Sequence, residues 1–291
     1  MRLSVCIVTW NTGDFLRDCL RSLLAFPPDG ADLEIIVVDN ASADGSAAMV
    51  QAEFPTVRLI ANSGNSGYAE GNNQALAAAT GDWLLLLNPD VTVHPDSLTL
   101  ALTWMQAHPD AAVLGCRLIG PDGETQRSLR GFPDPGPVLW EFLGLSRLLP
   151  RSRVFGAYRM TWFSYDETRE VDQPMGSFLL LTRAAYETVG SMDTAFPIFF
   201  NEVDWCWRTK REHGLKIYYT PDVSVTHFGA ASTRQVRASM IRESHRSLLR
   251  FYDKHFPKLA PPLRGLLRAA VWLNEWRLLR GVKEPETQIA P

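Results

Sequence analysis

Trp83-Leu84-Leu85-Leu86-Leu87-Asn88-Pro89-Asp90 is a short apolar run that stops at a polar corner. Bounded by Gly81-Asp82 on one side and Asn88-Pro89 on the other, it fits a buried strand of a parallel sheet better than a helix. Pro89 has no N–H with which to extend a ladder, so the strand ends there. Asp90 is then presented just past the carboxyl end of a buried strand, the edge at which open α/β sheets bind ligands. A carboxylate in that place suits a hard cation, Mg2+ or Mn2+, bridging a diphosphate. Asn, Pro and Asp are also ordinary turn formers, and the stretch alone does not separate the two readings.

Working back from this strand, the chain alternates. Leu3–Thr9 is a β-branched run, followed by a turn at Trp10-Asn11-Thr12-Gly13. Asp14 can cap a helix whose apolar positions (Phe15, Leu16, Cys19, Leu20, Leu23, Leu24) recur every three to four residues, and Pro27-Pro28 ends it. Leu33–Asp39 is a second strand, again closing on a carboxylate, with a short helix to about Phe54. Val57–Ala61 is a third strand. The loop Asn62-Ser63-Gly64-Asn65-Ser66-Gly67 leads into a helix from about Tyr68 to Thr80. Strands alternating with helices predict βαβ units, a mostly parallel sheet and right-handed crossovers. Thr9, Asp39, the Asn62–Gly67 loop and Asp90 then share one sheet edge. Backbone N–H groups before the Tyr68 helix make a seat for a nucleotide or phosphate there. No Gly-x-Gly-x-x-Gly and no Gly-x-x-x-x-Gly-Lys is present, which disfavours ordinary dinucleotide and ATP sites.

Four segments stand in order: Val8-Thr9-Trp10-Asn11; Val38-Asp39-Asn40-Ala41-Ser42; Asn62–Tyr68 with Asn72-Asn73; and Leu86–Asp90. Together they closely resemble the family 2 glycosyltransferases of the GT-A fold, in particular the bacterial rhamnosyltransferase-like branch, over roughly residues 3 to 235. The resemblance implies a Rossmann-like α/β domain over residues 1–240, with a nucleotide-binding half (1–95) and an acceptor or catalytic half (96–240). It implies a dTDP- or UDP-sugar donor, a divalent cation and a glycan or polyprenyl-linked acceptor. Asp39 would read a uracil or thymine base with Thr9 beside it. Asn11, Asn40, Asn62, Gly64, Asn65, Gly67 and Asn72 would line the donor. Asp90 would be the last residue of the family's Asp-x-Asp metal motif, with Asn88 where the first Asp often stands. Asn88 keeps the ability to contact the sugar or a metal-bound water but brings no charge.

Downstream, Asp96 or Ser97 starts a helix to about His108, Ala111–Leu118 is a strand, and Gly120-Pro121-Asp122-Gly123 is a hairpin turn. From Phe132 to Tyr165 no period is visible; the stretch is either a lid shaping the acceptor site or an exposed variable loop. Gly176, just before the apolar run Phe178–Leu181, lets backbone approach the sugar or simply starts a close-packed strand. Asn201-Glu202-Val203-Asp204-Trp205-Cys206-Trp207-Arg208 follows an aromatic run and opens a helix to about Gly214. Carboxylates in a first helical turn are favourable whatever the function. Transfer with inversion also needs a base for the acceptor hydroxyl, and aromatic neighbours would raise the Glu202 pKa toward that task. The family's acid-rich motif matches with Asn201 in place of its first acid, so its base falls on Glu202, with Asp204 as support. Tyr218–Gly229 reads as strand, turn, strand. His227, which the family follows with glycine and Ser/Thr, would be a second metal ligand or diphosphate contact. Arg234, with Ser232 and Thr233, would cover the diphosphate.

Charge divides the chain. Of its 291 residues, 46% hydrophobic and 21% charged, those before Arg242 carry a net −8 and Arg242–Pro291 a net +5. Arg242, Arg246, Arg250 and Lys254 form a stripe, and Leu263–Gly281 is apolar with arginines and with Trp272 and Trp276 one turn apart. Residues 241–291 thus read as a basic amphipathic tail suited to an anionic membrane surface, or else as helices packed on the body or on a dimer partner. No nucleic-acid motif accompanies the stripe. The four cysteines are scattered and fit free, buried thiols in a reducing compartment. No apolar run reaches the roughly 18 residues of a spanning helix, and Met1–Cys6 opens directly as a strand without a signal-peptide layout. A cytoplasmic protein at the inner face of the cell membrane is expected.

Two rivals are set against this reading. A nucleotidyltransferase needs a basic residue in its N-terminal phosphate loop, and Thr9–Gly13 has none. A catalytically degenerate binder of nucleotide sugars or glycans is favoured by Asn88 and Asn201, each replacing an acid, and opposed by the retention of Asp39, Asp90, Glu202 and His227.

Overall fold

In the computed structural model of the protein, residues 1–229 and 236–282 are described. Strands are β1 (Arg2–Thr9), β2 (Asp32–Asp39), β3 (Arg58–Ala61), β4 (Trp83–Leu87), β5 (Val91–Val93), β6 (Ala111–Ile119), β7 (Leu129–Arg130), β8 (Arg169–Glu170), β9 (Gln173–Pro174), β10 (Phe178–Thr182) and β11 (Lys216–His227). Helices are α1 (Gly13–Ala25), α2 (Ser46–Glu53), α3 (Tyr68–Ala78), α4 (Ser97–Ala107), α5 (Pro135–Phe142), α6 (Leu145–Leu148), α7 (Arg183–Val189), α8 (Asn201–Trp207), α9 (Arg237–His255) and α10 (Pro261–Leu279).

The main sheet runs β3-β2-β1-β4-β10-β6-β11-β5, with β8 on β11, and helices flank both faces. β1, β2, β3 and β4 run parallel to one another, as do β6 and β11; β10 enters antiparallel between β4 and β6. Period-two alternation explains why these strands are apolar throughout. Leu85 and Leu87 of β4 face the core under α1, α2 and α4, while Leu84 and Leu86 face the core of α3, α7 and Trp205. A third cluster, Phe196, Phe200 and Val203 with Val138, Phe251, Leu267 and Val271, fastens α9 and α10 to the body beside α8.

Several expectations are corrected. Asp14 lies in the first turn of α1 and pairs with Arg17; the cap position is Thr12. β5 begins at Val91, with only three residues between it and the end of β4, and pairs with β11 at the far edge of the sheet. Tyr218–His227 is one strand, with Pro221 absorbed in a register shift between Thr220 and Ser224. The aperiodic stretch after Phe132 holds α5 and α6. The basic stripe is partly paired: Arg250 binds Glu243 on α9 itself and the Ala195 carbonyl of the body, and Lys254 binds Asp193.

Candidate active site

Parallel register fixes the floor of the site. Thr9 lies beside Asp39, and Asp39 beside Ala61, so the ends of β1, β2 and β3 finish level. Asp39 is buried; its Oδ2 accepts from the Ser42 N–H at 3.0 Å, and its Oδ1 has no hydrogen-bond partner among the described residues. A buried carboxylate oxygen left open asks for a donor from a ligand. Thr9 shares a hydrogen bond with Thr12 (2.8 Å), and Asn11 accepts from the Ala43 N–H (2.7 Å), tying the first two loops together.

The Asn62–Gly67 loop is held by amides. Asn40 donates to the Gly67 carbonyl (3.0 Å) and accepts from Asn62 (2.8 Å) and Ser66 (3.1 Å), and Asn65 accepts from the Gly67 N–H. Gly67 has φ +87°, and a Cβ there would meet the Pro197 carbonyl oxygen at 2.9 Å, so only glycine fits. Asn40 and Asn62 therefore build the loop. Asn72 spends its amide N–H on the Tyr68 carbonyl within α3. Gly64 lies on the exposed outer part of the loop.

Beyond β4 the chain turns at Asn88-Pro89-Asp90, and β5 carries it to β11. Val91 pairs with His227, and the Phe228 N–H donates to the Asp90 carbonyl (3.0 Å). His227 Nε2 stands 3.5 Å from Asp90 Oδ1, and both side chains are buried. Gln126 Nε2 donates to the His227 carbonyl (2.7 Å), so Gln126 Oε1 faces His227 Nδ1 (2.8 Å) and assigns the proton there. Nε2 is then the unprotonated nitrogen, facing Asp90 and the Ser177 hydroxyl, and a metal there would take the lone pair in place of that hydroxyl. Among the described residues no group of three His, Cys, Asp or Glu surrounds one point. One carboxylate and one imidazole, completed by diphosphate oxygens and water, nevertheless fit a divalent cation of the Mg2+ or Mn2+ kind.

Asn88 is the node between this pair and the rest of the site. The Tyr68 hydroxyl donates to its Oδ1 (2.8 Å), and its Nδ2 donates to Ser177 Oγ (3.1 Å). Ser177 Oγ in turn lies 3.1 Å from His227 Nε2. Only an amide accepts at one end and donates at the other, so Asn88 is not an acid merely lost. Asn88→Asp would turn the Ser177 hydroxyl away from His227 and crowd a second negative charge against Asp90. Turnover is expected to fall by about tenfold, the worth of one such bond; a gain in turnover on assay of purified N88D would contradict this role.

Glu202 closes the site. Phe200 adopts φ +68°, a strained conformation for a bulky residue, and turns the chain so that α8 starts at Asn201. Buried Asn201 accepts from the Glu202 N–H (2.8 Å) through Oδ1, while its Nδ2 has no hydrogen-bond partner among the described residues. The Glu202 side chain lies over Gly176, whose missing Cβ would stand 3.6 Å from the Glu202 Cβ and Cγ. Burial raises the Glu202 carboxyl to about 7. Tyr68 and Tyr158 lie close enough for its charge to push their phenols up, in addition to their own burial.

Asp204 does not join Glu202. It is fully buried on the other side of α8, accepting from His255 Nε2 (2.7 Å) and Arg208 Nε (3.0 Å) with Lys254 Nζ at 2.6 Å. Its burial pushes the carboxyl up, but His255, Lys254 and Arg208 outweigh burial and hold it low. It anchors α9 to α8. Arg234, Ser232 and Thr233 lie outside the described residues. Sequence reading passed over Tyr68, Gln126, Ser177 and His255. They are single polar residues whose contacts form only across long sequence separations.

Known proteins resemble this chain in sequence and in fold. The family described as "Glycosyl transferase family 2" matches residues 4–169. An N-acetylglucosaminyl-diphospho-decaprenol L-rhamnosyltransferase of Mycobacterium tuberculosis is 30% identical over 295 residues, covering 96% of this chain and 93% of that protein. The low-salt glycan biosynthesis hexosyltransferase Agl10 of Haloferax volcanii is 23% identical, covering 72% and 62%. Among solved structures, the mannosyltransferase PcManGT of Pyrobaculum calidifontis, in complex with GDP-Man and Mn2+, aligns with a TM-score of 0.58 at 18% identity, over 98% of this chain and 76% of that one. Staphylococcus aureus TarS with UDP gives 0.55 at 18%, over 86% and 66%. These likenesses bear out the α/β GT-A fold with its mostly parallel central sheet.

Proposed function

Since the chain belongs to glycosyl transferase family 2 and is a glycosyltransferase, we propose that it transfers a sugar with inversion, using a divalent cation, from a nucleotide-sugar donor to a hydroxyl of a polyprenyl-linked or cell-surface glycan. The donor favoured is dTDP-L-rhamnose, from the likeness to the mycobacterial rhamnosyltransferase over nearly the whole of both chains. The observation that carries the reading is the convergence at one sheet edge of the open Asp39 oxygen, the Asp90–His227 pair and Glu202.

Asp39 Oδ1 accepts the imide N–H of a thymine or uracil base. Asn11 and the Asn62–Gly67 loop, with Asn40 behind it, shape the nucleotide's seat. Asp90 and His227 would hold the cation, which would supply charge neutralisation for the departing diphosphate. The acceptor hydroxyl approaches the face of the anomeric carbon opposite the diphosphate. As the new C–O bond forms and the bond to the diphosphate oxygen breaks, the hydroxyl proton passes to Glu202. The carboxylate is near neutrality in basicity because of its burial, which suits a general base. Gly176 leaves room for the sugar beside Glu202, and Asp204 is assigned to holding α8. Residues 1–240 form the transferase unit, and 241–291 the tail that meets an anionic membrane surface through α10. No helix of the described residues is long and apolar enough to cross a membrane.

Asp39→Asn offers its amide N–H where the base has its own, and loses the charge. Nucleotide affinity is expected to weaken by roughly 10- to 100-fold, the range for a hydrogen bond to a charged group. Calorimetric titration of wild type and variant with dTDP checks it, and unchanged affinity would remove Asp39 from the base site.

A further inference from the structure

Fifteen large apolar side chains are well exposed among the described residues, and nine of them fall in two segments, 143–154 and 266–278. On α10, Leu267 and Val271 point inward and are buried. The opposite face, which a helix at 3.6 residues per turn ordinarily gives to polar groups, carries Trp272 (66% exposed), Leu273 and Trp276, with the Arg280 guanidinium 3.6 Å over the Trp276 ring. The second segment has the same composition although it lies far away in sequence. Leu148 is 74% and Val154 63% exposed, and the segment carries Arg147, Arg151 and Arg153. Neither Arg147, Arg151 nor Arg277 has a carboxylate partner among the ion pairs of the described residues.

The two segments are linked through α5. Val138 and Phe142 of α5 pack in one cluster with Leu263, Leu267 and Val271 of α10, and the chain leaves α5 directly into Leu143. Apolar side chains rimmed by arginines, with tryptophans among them, match the boundary between the acyl and headgroup layers of an anionic bilayer. We propose that Leu143–Val154 is a second membrane-docking element, seated beside α10 on the same anionic lipid surface. The proposal rests on the membrane reading of the tail and extends it to the catalytic body. The cluster that joins α5 to α10 also contains Phe200 and Val203, which flank Glu202. Docking through both segments therefore brings the bilayer within one helix of the base, where the head of a lipid-linked acceptor would have to reach.

The test is co-sedimentation of the full chain with phosphatidylcholine vesicles, with and without phosphatidylglycerol. Three proteins are compared: wild type, Leu148→Glu with Val154→Glu, and Trp272→Glu with Trp276→Glu. All four positions are exposed, so the fold is retained, and thermal stabilisation by dTDP checks it. The wild type is expected to prefer the anionic vesicles, and each double variant to bind them about tenfold more weakly or worse. Loss in the tail variant but not in the 148/154 variant overturns the inference and leaves the tail reading standing. A wild type that ignores anionic vesicles overturns both. If the 148/154 variant binds vesicles normally and instead changes the sedimentation mass, the surface is a contact between copies of the chain and the inference fails.

Discussion

Glu202→Gln is expected to lower turnover by roughly 100- to 10,000-fold, the usual worth of a positioned general base, while donor affinity stays unchanged. The amide is isosteric, so it keeps the contact over Gly176 and the helix start at Asn201, and removes only proton acceptance. The wild-type pH dependence follows from the same residue. The base acts as carboxylate, and burial holds its carboxyl near 7. Turnover should therefore rise as pH increases through about 7 and level off above, and the limb should vanish in the variant. Stability moves the opposite way. Between about pH 4.5 and 7 the unfolded chain has released this proton and the folded chain still holds it, so folding stability falls as pH rises through that window. Glu202→Gln removes this cost and should raise Tm more at pH 8 than at pH 5. A variant that turns over normally would take the base role from Glu202.

The second large effect is structural. Asp204→Ala leaves Arg208 and His255, whose side chains are 14% and 4% exposed, without the carboxylate they share, and removes a partner of Lys254. Breaking one side of a buried ionic cluster costs about 3–5 kcal/mol, because the remaining charge is stranded. Urea unfolding of the two proteins reads this directly. The loss should be largest near neutral pH and shrink as pH falls through the low folded pKa of Asp204, where the wild type loses the same bonds. A loss below about 1 kcal/mol, the level of an exposed pair, would contradict the anchoring role. The two carboxylates are thus expected to separate cleanly, Glu202 in rate and Asp204 in stability.

That separation was present in the sequence. Residues two apart on a helix point to nearly opposite sides, so Glu202 and Asp204 could not both face one pocket once α8 was granted. The nucleotide edge was legible for a similar reason. Apolar runs buried on both faces announce parallel strands, and each ends on a polar turn, at Thr9, Asp39, Asn62 and Asn88. The family resemblance put His227 with Asp90, but the strand that brings them together was not legible, because β5 has three residues and is too short to show a period. Nor were α5 and α6 visible: the apolar face of α5 is completed only by α8 and α10 from far along the chain, and α6 is four residues long, too short for a period. Ser177 and Gln126 form no motif and Tyr68 only ends one, and their roles arise from bonds spanning 50, 101 and 20 positions. Asn88, which in sequence looks like a lost acid, acquires in three dimensions a donor bond that explains an amide there, whereas the bond Asn201 accepts from the Glu202 N–H is one a carboxylate could accept as well.

The central claim is a metal-assisted nucleotide-sugar site at the ends of β1, β2 and β4. It is tested most directly by thermal shift and donor hydrolysis with dTDP-rhamnose, UDP-glucose, UDP-galactose, UDP-galactofuranose and UDP-N-acetylglucosamine, each with Mn2+ or Mg2+ and with chelator. The account predicts stabilisation and slow hydrolysis with dTDP-rhamnose, abolished by chelator and by Asp90→Ala; a preference for a UDP-sugar would replace the donor and keep the mechanism. No response to any nucleotide sugar with metal present would contradict the account and leave a degenerate binder in its place.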